Sequence, residues 1–455
     1  MRWIKWFSDL SIDDVPLVGG KNASLGEMRR ELSALGVPVP DGFAVTAEAF
    51  REFVRRNELA ERITTLLAER AKDDVAALER SSATLRELVM SAPMPNEIAV
   101  ELAAAYNELC TRSASPALEV AVRSSATAED LPTASFAGAH ETLLNVSGEA
   151  ELVEAVRRCF ASLYNARAIR YREDMGFKHE EVALSVGVQQ MLAADASVAG
   201  VIFTLDTETG FRDVILIDAI YGLGENIVQG RVGPDEYTVH KPTLRAGKPS
   251  IVRRKLGKKE LRLVFNRDTR AHEQREVPIE ERNRFCLSDE QVLQLAKWAL
   301  AIEDHYSEKL GRPTPMDIEF AKNGPGGPLC ILQARPETVH SAKRRPTVKV
   351  YQVRERGRLI VEGLAVGDQI ATGTARVIKD TSRLEDFRAG DVLVTDVTDP
   401  DWEPILKRSA AVVTARGGRT SHAAIVAREL GIPAVVGASD ALTVLADARR
   451  VTVSC

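Results

Sequence analysis

Apolar and polar positions repeat in two different ways along the 455-residue chain, and the change predicts where helices give way to strands. From Ala47 to Leu109, apolar residues recur at helical spacing between charged ones, as in AFREFVRRNELAERITTLLAERA. This pattern predicts that roughly the first 110 residues are largely helical. From Leu118 onward, short apolar runs bounded by Gly, Asp and Ser predict the strands of a mixed sheet. These runs are LEVAVRSSA, VALSVGVQQML, SVAGVIFTLD and DVILIDAIYGLG, and a helix over Glu149–Glu173 is predicted between the first two.

The second half of the chain predicts further elements and a domain boundary. The polar segment Pro242–Arg282, which contains VRRKLGKKELRLVF, is typical of a hairpin excursion, and a helix is predicted over Ser288–Leu310. A strand pair, PMDIEFAK and PLCILQARPE, comes next. The charges and proline of HSAKRRPTVK predict a linker, after which RLIVEGLAVG opens a compact α/β unit with a helix over Ser421–Leu430. We therefore expect a domain over residues 1–340, a linker over 341–349 and a second domain over 350–455.

Composition and charge exclude several classes of protein. With 45% hydrophobic and 27% charged residues and a net charge of −5, the chain has no basic field for nucleic acid. No window approaches the roughly 18 apolar residues of a membrane span, and the N-terminus has no apolar signal core. The cysteines are scattered and odd in number, which predicts neither a disulfide framework nor a zinc site. We therefore expect a cytoplasmic protein; the cysteines are Cys110, Cys159, Cys286, Cys330 and Cys455.

The segment GGRTSHAAIVARELGIPAVVG, residues 417–437, places a histidine at the start of a predicted helix. Thr420 or Ser421 can cap that helix, and Gly431 stands where a left-handed C-terminal residue belongs. A helix N-terminus opposes a protonated imidazole but favours a phosphoryl group, as does Arg419. His422 is therefore the candidate phosphate carrier. The alternative is a histidine that only caps a helix or fills a core gap.

This segment resembles the mobile phosphohistidine domain of the PEP-utilising enzymes, a family that includes phosphoenolpyruvate synthases and pyruvate phosphate dikinases. DVLVTDVTDPDWEPILKRSAAVVT, just upstream, is similar to the synthase branch. The resemblance covers essentially the whole chain. It implies an α/β and α+β multidomain fold, in which an ATP-grasp-like nucleotide-binding domain of two subdomains precedes a small swivelling α/β phosphohistidine domain.

Two strings in the first domain carry candidate phosphate ligands. In VGGKNASLGEM, Gly19 and Gly20 let the backbone approach a ligand and Lys21 supplies a cation, although the spacing is not that of a Walker A loop. In AVRSSATAEDLPTASFAGAHET, Arg123 follows a strand and is accompanied by the hydroxyls of Ser124, Ser125 and Thr127. Alone, either string can be an ordinary turn. The family resemblance implies that Lys21 and Arg123 contact the nucleotide phosphates.

The same resemblance implies a loop that covers the phosphates over Ser135–Gly138. It also implies a nucleotide-cleft position for the string YGLGENIVQGRVGPDEY, residues 221–237. For this string, an ordinary surface connection stays an alternative.

The strand pair carries candidate magnesium ligands. Asp317 and Glu319 alternate onto one face of their strand, and Gln333 and Arg335 share a face of the next. Carboxylate and amide oxygens suit Mg²⁺, whereas the alternative is an exposed face with an ordinary cross-strand ion pair. The resemblance implies that these positions bind Mg–ATP, with Asp317, Glu319 and Gln333 toward the metal and Arg335 toward the phosphates.

The implied activity is that of a dikinase: the β-phosphate of ATP goes to His422, and AMP and inorganic phosphate are released. In such enzymes a C-terminal barrel then passes the phosphate to pyruvate, but a barrel of about 250 residues has no place in this sequence. We therefore expect a truncated or split protein that performs the first half-reaction.

Two alternatives stay open. One is a dikinase with another acceptor, such as an antibiotic or a glucan. The other is a phosphocarrier or regulatory module without turnover. The sequence also does not decide whether the chain associates with further copies of itself.

Overall fold

The computed structural model describes most of the chain as two compact units. It covers residues 2–68, 70, 74–127, 141–337, 351–353, 357–367, 369–380, 387–399, 402–419, 421–446 and 450–455, without the side chains of residues 75, 76 and 196. The predicted linker at 341–349 and the predicted loop Ser135–Gly138 lie outside the described residues. One unit comprises Met1–Leu192 and Cys330–Thr338, and the other comprises Ala193–Leu329 and Val339–Cys455.

The first unit is an antiparallel sheet packed against helices around one apolar core. Its strands follow the order β1-β2-β5-β3-β4, and the predicted runs LEVAVRSSA and VALSVGVQQML supply β3 and β5. The strands are β1 (Ile4–Trp6), β2 (Gly42–Val45), β3 (Val120–Ala126), β4 (Thr142–Val146) and β5 (Leu184–Gln190). The helices are α1 (Val15–Glu27), α2 (Ala47–Arg56), α3 (Leu59–Ala68), α4 (Val75–Ser91), α5 (Asn96–Arg112), α6 (Glu149–Ser162) and α7 (Ala166–Asp174). The single helix predicted over Glu149–Glu173 is therefore two helices.

Gly19 interrupts helix α1 and brings it against strand β3. Its backbone is left-handed and extended, with φ of 72° and ψ of 165°. A Cβ atom at this position would lie 2.3 Å from the Oγ of Ser125 and 2.5 Å from its carbonyl oxygen. Only glycine accommodates both the positive φ and the contact. The glycine pair of VGGKNASLGEM therefore serves first as a close backbone approach.

The second unit begins with an antiparallel sheet of strands in the order β12-β6-β7-β8-β9. These are β6 (Val198–Phe203), β7 (Val214–Tyr221), β8 (Asp235–His240), β9 (Ile251–Lys255) and β12 (Met316–Lys322). Helix α11 (Asp289–Lys309) begins at Ser288, whose hydroxyl accepts from the N–H of Gln291 in a capping box, as helix termini favour. The short helices are α8 (Glu225–Val228), α9 (Lys241–Arg245) and α10 (Ile279–Arg282), and β13 (Leu329–Pro336) returns the chain to the first unit.

The predicted hairpin excursion is present within Pro242–Arg282 and is formed by β10 (Leu261–Asn266) and β11 (Ala271–Glu276). The string VRRKLGKKELRLVF spans β9 and β10, which are not partners. Strand β10 pairs instead with β11, and β9 adds to the edge of the larger sheet. Gly257 lies between β9 and β10. In the structure it lies against the backbone of Pro234.

The C-terminal part of the second unit is an α/β layer with a largely parallel sheet. Its strands follow the order β14-β18-β17-β16-β15-β19, with parallel pairs in the centre and antiparallel pairs at both edges. Both faces are covered by apolar side chains, which explains the unbroken apolar runs of its strands. The elements are β14 (Leu364–Val366), β15 (Ile370–Val377), β16 (Val392–Thr395), α12 (Glu403–Leu406), β17 (Ala411–Thr414), α13 (His422–Leu430), β18 (Ala434–Val436), α14 (Ala441–Val444) and β19 (Arg450–Ser454).

A fully buried ion pair holds the loop before β8. Lys259 and Asp235 both have side chains with 0% exposure and bond to each other. The carboxylate also accepts the N–H groups of Gly257 (2.8 Å) and Cys286 (2.8 Å), and the ammonium donates to the carbonyl of Gly257 at 3.0 Å. Because both charged groups also have hydrogen-bond partners on the backbone, this pair fixes the chain next to Pro234.

None of the helices in the described residues is long and apolar enough to span a membrane.

Replacing Lys259 by alanine is expected to lower the free energy of unfolding by about 3–5 kcal/mol, because it leaves a buried carboxylate without a counter-charge. The matched control is Lys255→Ala, since Lys255 pairs with Glu236 at 2.6 Å but is 41% exposed. The control is expected to lose no more than about 1 kcal/mol. Urea unfolding followed by circular dichroism measures both, and equal losses would contradict a structural role for the buried pair.

Replacing Gly19 by alanine is expected to destabilise the first unit more than Gly36→Ala. Both residues have positive φ, 72° and 77°, but a Cβ at Gly36 would meet nothing within 4 Å. Gly36→Ala therefore carries only the left-handed penalty of about 1–2 kcal/mol, and Gly19→Ala adds about 1–3 kcal/mol for crowding against Ser125. Thermal unfolding of the two variants tests this difference. Similar melting temperatures would show that α1 moves away from β3 at little cost.

Candidate functional site

The first unit brings two of the predicted phosphate-binding strings together. The backbone N–H of Asn22, next to Lys21, donates to the Oγ of Ser125 at 3.4 Å, and the Asn22 amide donates to the Oγ of Ser185 at 3.0 Å. Arg123 lies two residues before Ser125 on β3, opposite Gly187 of β5, and the side chain of Asn22 occupies the space over Gly187. The strings around Lys21 and Arg123 are therefore neighbours through backbone contact.

The strand that carries Gln333 and Arg335, β13, contacts α1 and the residues after it. The Oγ of Ser24 donates to the carbonyl of Ala334 at 2.6 Å, and the N–H of Ile331 donates to the carbonyl of Pro38 at 2.9 Å. Ala334 stands between Gln333, which is 8% exposed, and Arg335, which is partly exposed. The first unit thus collects Lys21, Arg123, Gln333 and Arg335 around one helix.

The hydroxyls predicted beside Arg123 have partners within the protein. Ser124 and Thr127 donate to the carbonyls of Glu141 (3.3 Å) and Ala183 (3.2 Å). Because a hydroxyl has a single proton, these two groups support the strand and are not available as donors in this arrangement.

Burial raises the pKa of the nearby Cys159 thiol well above its usual range, with Glu141 adding to the effect, so Cys159 stays neutral.

Asp317 and Glu319 lie on β12 in the second unit. They stand opposite Phe203 and Val201 of β6, and both are half-buried while Ile318 and Phe320 between and after them are buried. The predicted common face is therefore present. No group of three or more His, Cys, Asp and Glu side chains suited to a metal ion occurs among the described residues. The oxygen donors of this face fit Mg²⁺ only as part of a set that phosphate or water oxygens complete.

His422 is the first residue of helix α13, as the sequence predicts. Ser421 occupies the N-cap position with extended backbone (φ −69°, ψ 158°), and Gly431 ends the helix with φ of 66°. The prediction that Ser421 caps the helix through its hydroxyl is wrong, because no side-chain capping bond forms; Thr420 lies outside the described residues. Within those residues, the buried Ser421 Oγ and Arg419 Nε have no hydrogen-bond partner. Two polar atoms without partners among the described residues thus lie just before His422, at the start of the helix.

Thr398 contacts His422, and the sequence did not predict this contact. Its Oγ1 lies 3.1 Å from the Nδ1 of His422, and the threonine is 2% exposed. If Nδ1–H donates to this hydroxyl, the lone pair is on Nε2, which makes Nε2 the nucleophile. Thr398 lies in the loop after β16, within the string DVTDPDW, where no periodicity or motif singles out one hydroxyl.

The glycine-rich string at residues 221–237 lies against the histidine segment in the second unit. A Cβ at Gly230, where φ is +65°, would be 2.1 Å from the Cβ of Ser421, and one at Gly418 would be 3.5 Å from Pro234. Arg416, just before this segment, bonds to Asp396, which raises the pKa of the guanidinium. The bond between Arg416 and Asp396 thus lies just before the histidine segment. Gly230 and Pro234 of the glycine-rich string lie against Ser421 and Gly418 of the segment.

Two family models match successive parts of the chain. Residues 15–355 match the family model described as the pyruvate phosphate dikinase AMP/ATP-binding domain. Residues 387–455 match the model of the mobile domain of PEP-utilising enzymes.

Full-length relatives resemble the chain along its whole length. It is 50% identical over 457 residues to the phosphoenolpyruvate synthase of Aquifex aeolicus, which covers 99% of this chain and 53% of that protein. It is 51% identical over 458 residues to that of Pseudomonas aeruginosa (100% and 57%) and 42% identical over 490 residues to a probable one of Pyrococcus horikoshii (99% and 57%). The chain spans little more than half the length of these curated relatives. It belongs to the family of pyruvate phosphate dikinase AMP/ATP-binding domains, and it carries the mobile domain of the PEP-utilising enzymes after that domain.

Proposed function

We propose that this chain transfers the β-phosphoryl group of ATP to Nε2 of His422 and that, in the complete protein, the phosphate passes on to pyruvate to form phosphoenolpyruvate. The observation that carries the proposal is the setting of His422. It begins a helix, its Nδ1 contacts a buried hydroxyl, and the adjacent Arg419 and Ser421 hold polar atoms without partners among the described residues. A helix N-terminus with spare donors stabilises a phosphoryl group.

Nε2 attacks the β-phosphorus, the bond between that phosphorus and the oxygen that bridges it to the α-phosphorus breaks, and AMP leaves. Water then attacks the γ-phosphorus and displaces the β-phosphoryl group that the histidine carries. Inorganic phosphate leaves, and a phosphohistidine remains. Phosphoryl transfer of this type depends on positioning and charge neutralisation. The Nδ1–H, bonded to Thr398, holds its proton throughout and stabilises the positive charge that develops on the ring.

The remaining predicted residues are assigned to the nucleotide. Lys21, Arg123 and Arg335 neutralise phosphate oxygens, and Asp317, Glu319 and Gln333 hold Mg²⁺, which draws charge from the phosphates when bound. The support is that three strings of the first unit converge on α1, and that Asp317 and Glu319 share one face of β12. The names of the relatives support pyruvate as the final acceptor.

The purified chain is expected to incorporate label from ATP carrying ³²P in the β position and none from ATP carrying it in the γ position. The label should be acid-labile and base-stable, as a phosphohistidine is, and should be absent from His422→Ala. Label from the γ position would mean simple kinase chemistry and would contradict the dikinase proposal. No label from either, with ATP binding retained, would leave a carrier module that a partner phosphorylates.

Replacing Thr398 by valine is expected to slow this labelling about tenfold, since one hydrogen bond of about 1–1.5 kcal/mol that selects the Nδ1–H tautomer is lost. Thr398→Ser keeps the hydroxyl and should stay near the wild-type rate. Single-turnover quenched-flow measurements, together with the dissociation constant for ATP, separate tautomer selection from binding. A weaker affinity for ATP with an unchanged rate constant would contradict a role at the histidine.

A further inference from the structure

A rigid loop between β6 and β7 presents the side chain of Glu208. Both Glu208 and Thr209 donate their backbone N–H groups to the Oδ1 of Asp206, each at 2.9 Å. The loop closes through the N–H of Asp206 to the carbonyl of Phe211 and the N–H of Gly210 to the carbonyl of Asp206, both at 2.8 Å. An aspartate that accepts from the next residues of its own turn orders the backbone locally. Glu208 is therefore held in place before it meets any partner.

Both carboxylate oxygens of Glu208 contact the histidine module, by which we mean the described residues from Leu364 to Cys455. One oxygen bonds to the guanidinium of Arg428, and the other accepts the N–H of Gly367 at 3.0 Å. Arg428 lies in the last turn of α13, the helix that His422 begins, and Gly367 follows β14. The Arg428 and Glu208 side chains are only 9% and 16% exposed. A single carboxylate thus joins the sheet of β6 and β7 to two separate elements of the module.

The energetics suit a contact that forms and breaks. Because the side chains of Glu208 and Arg428 are largely shielded from solvent, salt screens their attraction less than it screens a surface ion pair. The pair therefore constrains the position of α13. Separation returns both charges to water, and the recovered hydration offsets much of the lost attraction. Its net contribution is therefore small enough to be reversible, whereas removal of one partner leaves the other charge desolvated in the docked state.

We propose that Glu208 is a positioning residue that docks the histidine module for phosphorylation, by holding the far end of the His422 helix and the loop at Gly367. The inference rests on the proposed function. It adds a specific anchor distant in sequence from every residue assigned to ATP or to the phosphate. Glu208 raises the fraction of molecules in which His422 is positioned for phosphorylation, and it does not change the affinity for ATP.

The test combines a rate with a measure of docking in the full 455-residue chain. Glu208→Gln, Arg428→Gln, their double variant and the charge swap Glu208→Arg with Arg428→Glu are compared. The control is Asp304→Asn, which breaks the pair of Asp304 with Arg245 at 2.6 Å within one subdomain. Single-turnover labelling by β-³²P-ATP gives the rate, and hydrogen exchange of the peptide that contains Gly367 reports docking.

Each single variant is expected to label about tenfold more slowly and to exchange faster at Gly367, with unchanged affinity for ATP. The double variant should be no slower than either single variant, because both remove the same contact. The charge swap should recover part of the rate, since the ion pair returns but the bond to Gly367 does not. Asp304→Asn should match the wild type.

Wild-type rates and unchanged exchange in the single variants would overturn the proposal. So would additive losses in the double variant, or equal slowing in Asp304→Asn, because both indicate general destabilisation. If the wild type itself takes no label, the proposed function fails. Exchange at Gly367 in the single and double variants then still decides whether Glu208 docks the module.

Discussion

The histidine segment depends on a charge pair that has no contact with solvent. Lysine and aspartate are tolerated at 0% exposure only when each compensates the other and further hydrogen bonds satisfy their remaining groups. In this protein the carboxylate of Asp235 also receives two backbone N–H groups, so the start of β8 cannot shift without exposing an unpaired charge. The preceding residues, up to Gly230, are the surface that the backbone of Ser421 approaches. The buried pair therefore fixes the end of a string that contacts the histidine segment.

Different contacts constrain the two ends of helix α13. Its first residue is constrained by small contacts: the hydroxyl of Thr398, the glycine of the neighbouring loop and the bonded pair of Arg416 and Asp396. Its last turn is constrained by a charged contact to Glu208. Of the contacts at the first residue, only the approach of Gly230 to Ser421 comes from outside the histidine module, because Thr398, Asp396 and Arg416 belong to it. The contact with Glu208 also comes from outside the module, and it differs in being charged, so it acts over a longer distance.

The sequence predicted most elements of the fold because their patterns are local. Apolar runs such as SVAGVIFTLD became strands, and the region around His422 became a helix that ends at Gly431. The prediction of one helix over Glu149–Glu173 is wrong, since α6 and α7 occupy that range. The interruption of α1 at Gly19 has no local signal, because it depends on a contact with Ser125, which is distant in sequence. The same holds for the site. Motifs identified His422 and the strings around Lys21 and Arg123, whereas Thr398 and Glu208 carry no pattern and become visible only through their contacts. The assigned roles of Lys21, Arg123, Asp317, Glu319, Gln333 and Arg335 stay predictions.

The first unit is assembled from two stretches of chain, because Cys330–Thr338 returns to it after the chain has built another sheet. The bond between Ser24 and Ala334 joins residues 310 positions apart. On the ribosome, the N-terminal helices and sheet must therefore wait on the order of ten seconds for their last segment. During that interval α1 lacks the strand that carries Gln333 and Arg335, so the nascent protein has its glycine-rich turn before it has a complete unit. Completion of the first unit is thus coupled to synthesis of the sheet that lies between its two stretches of chain.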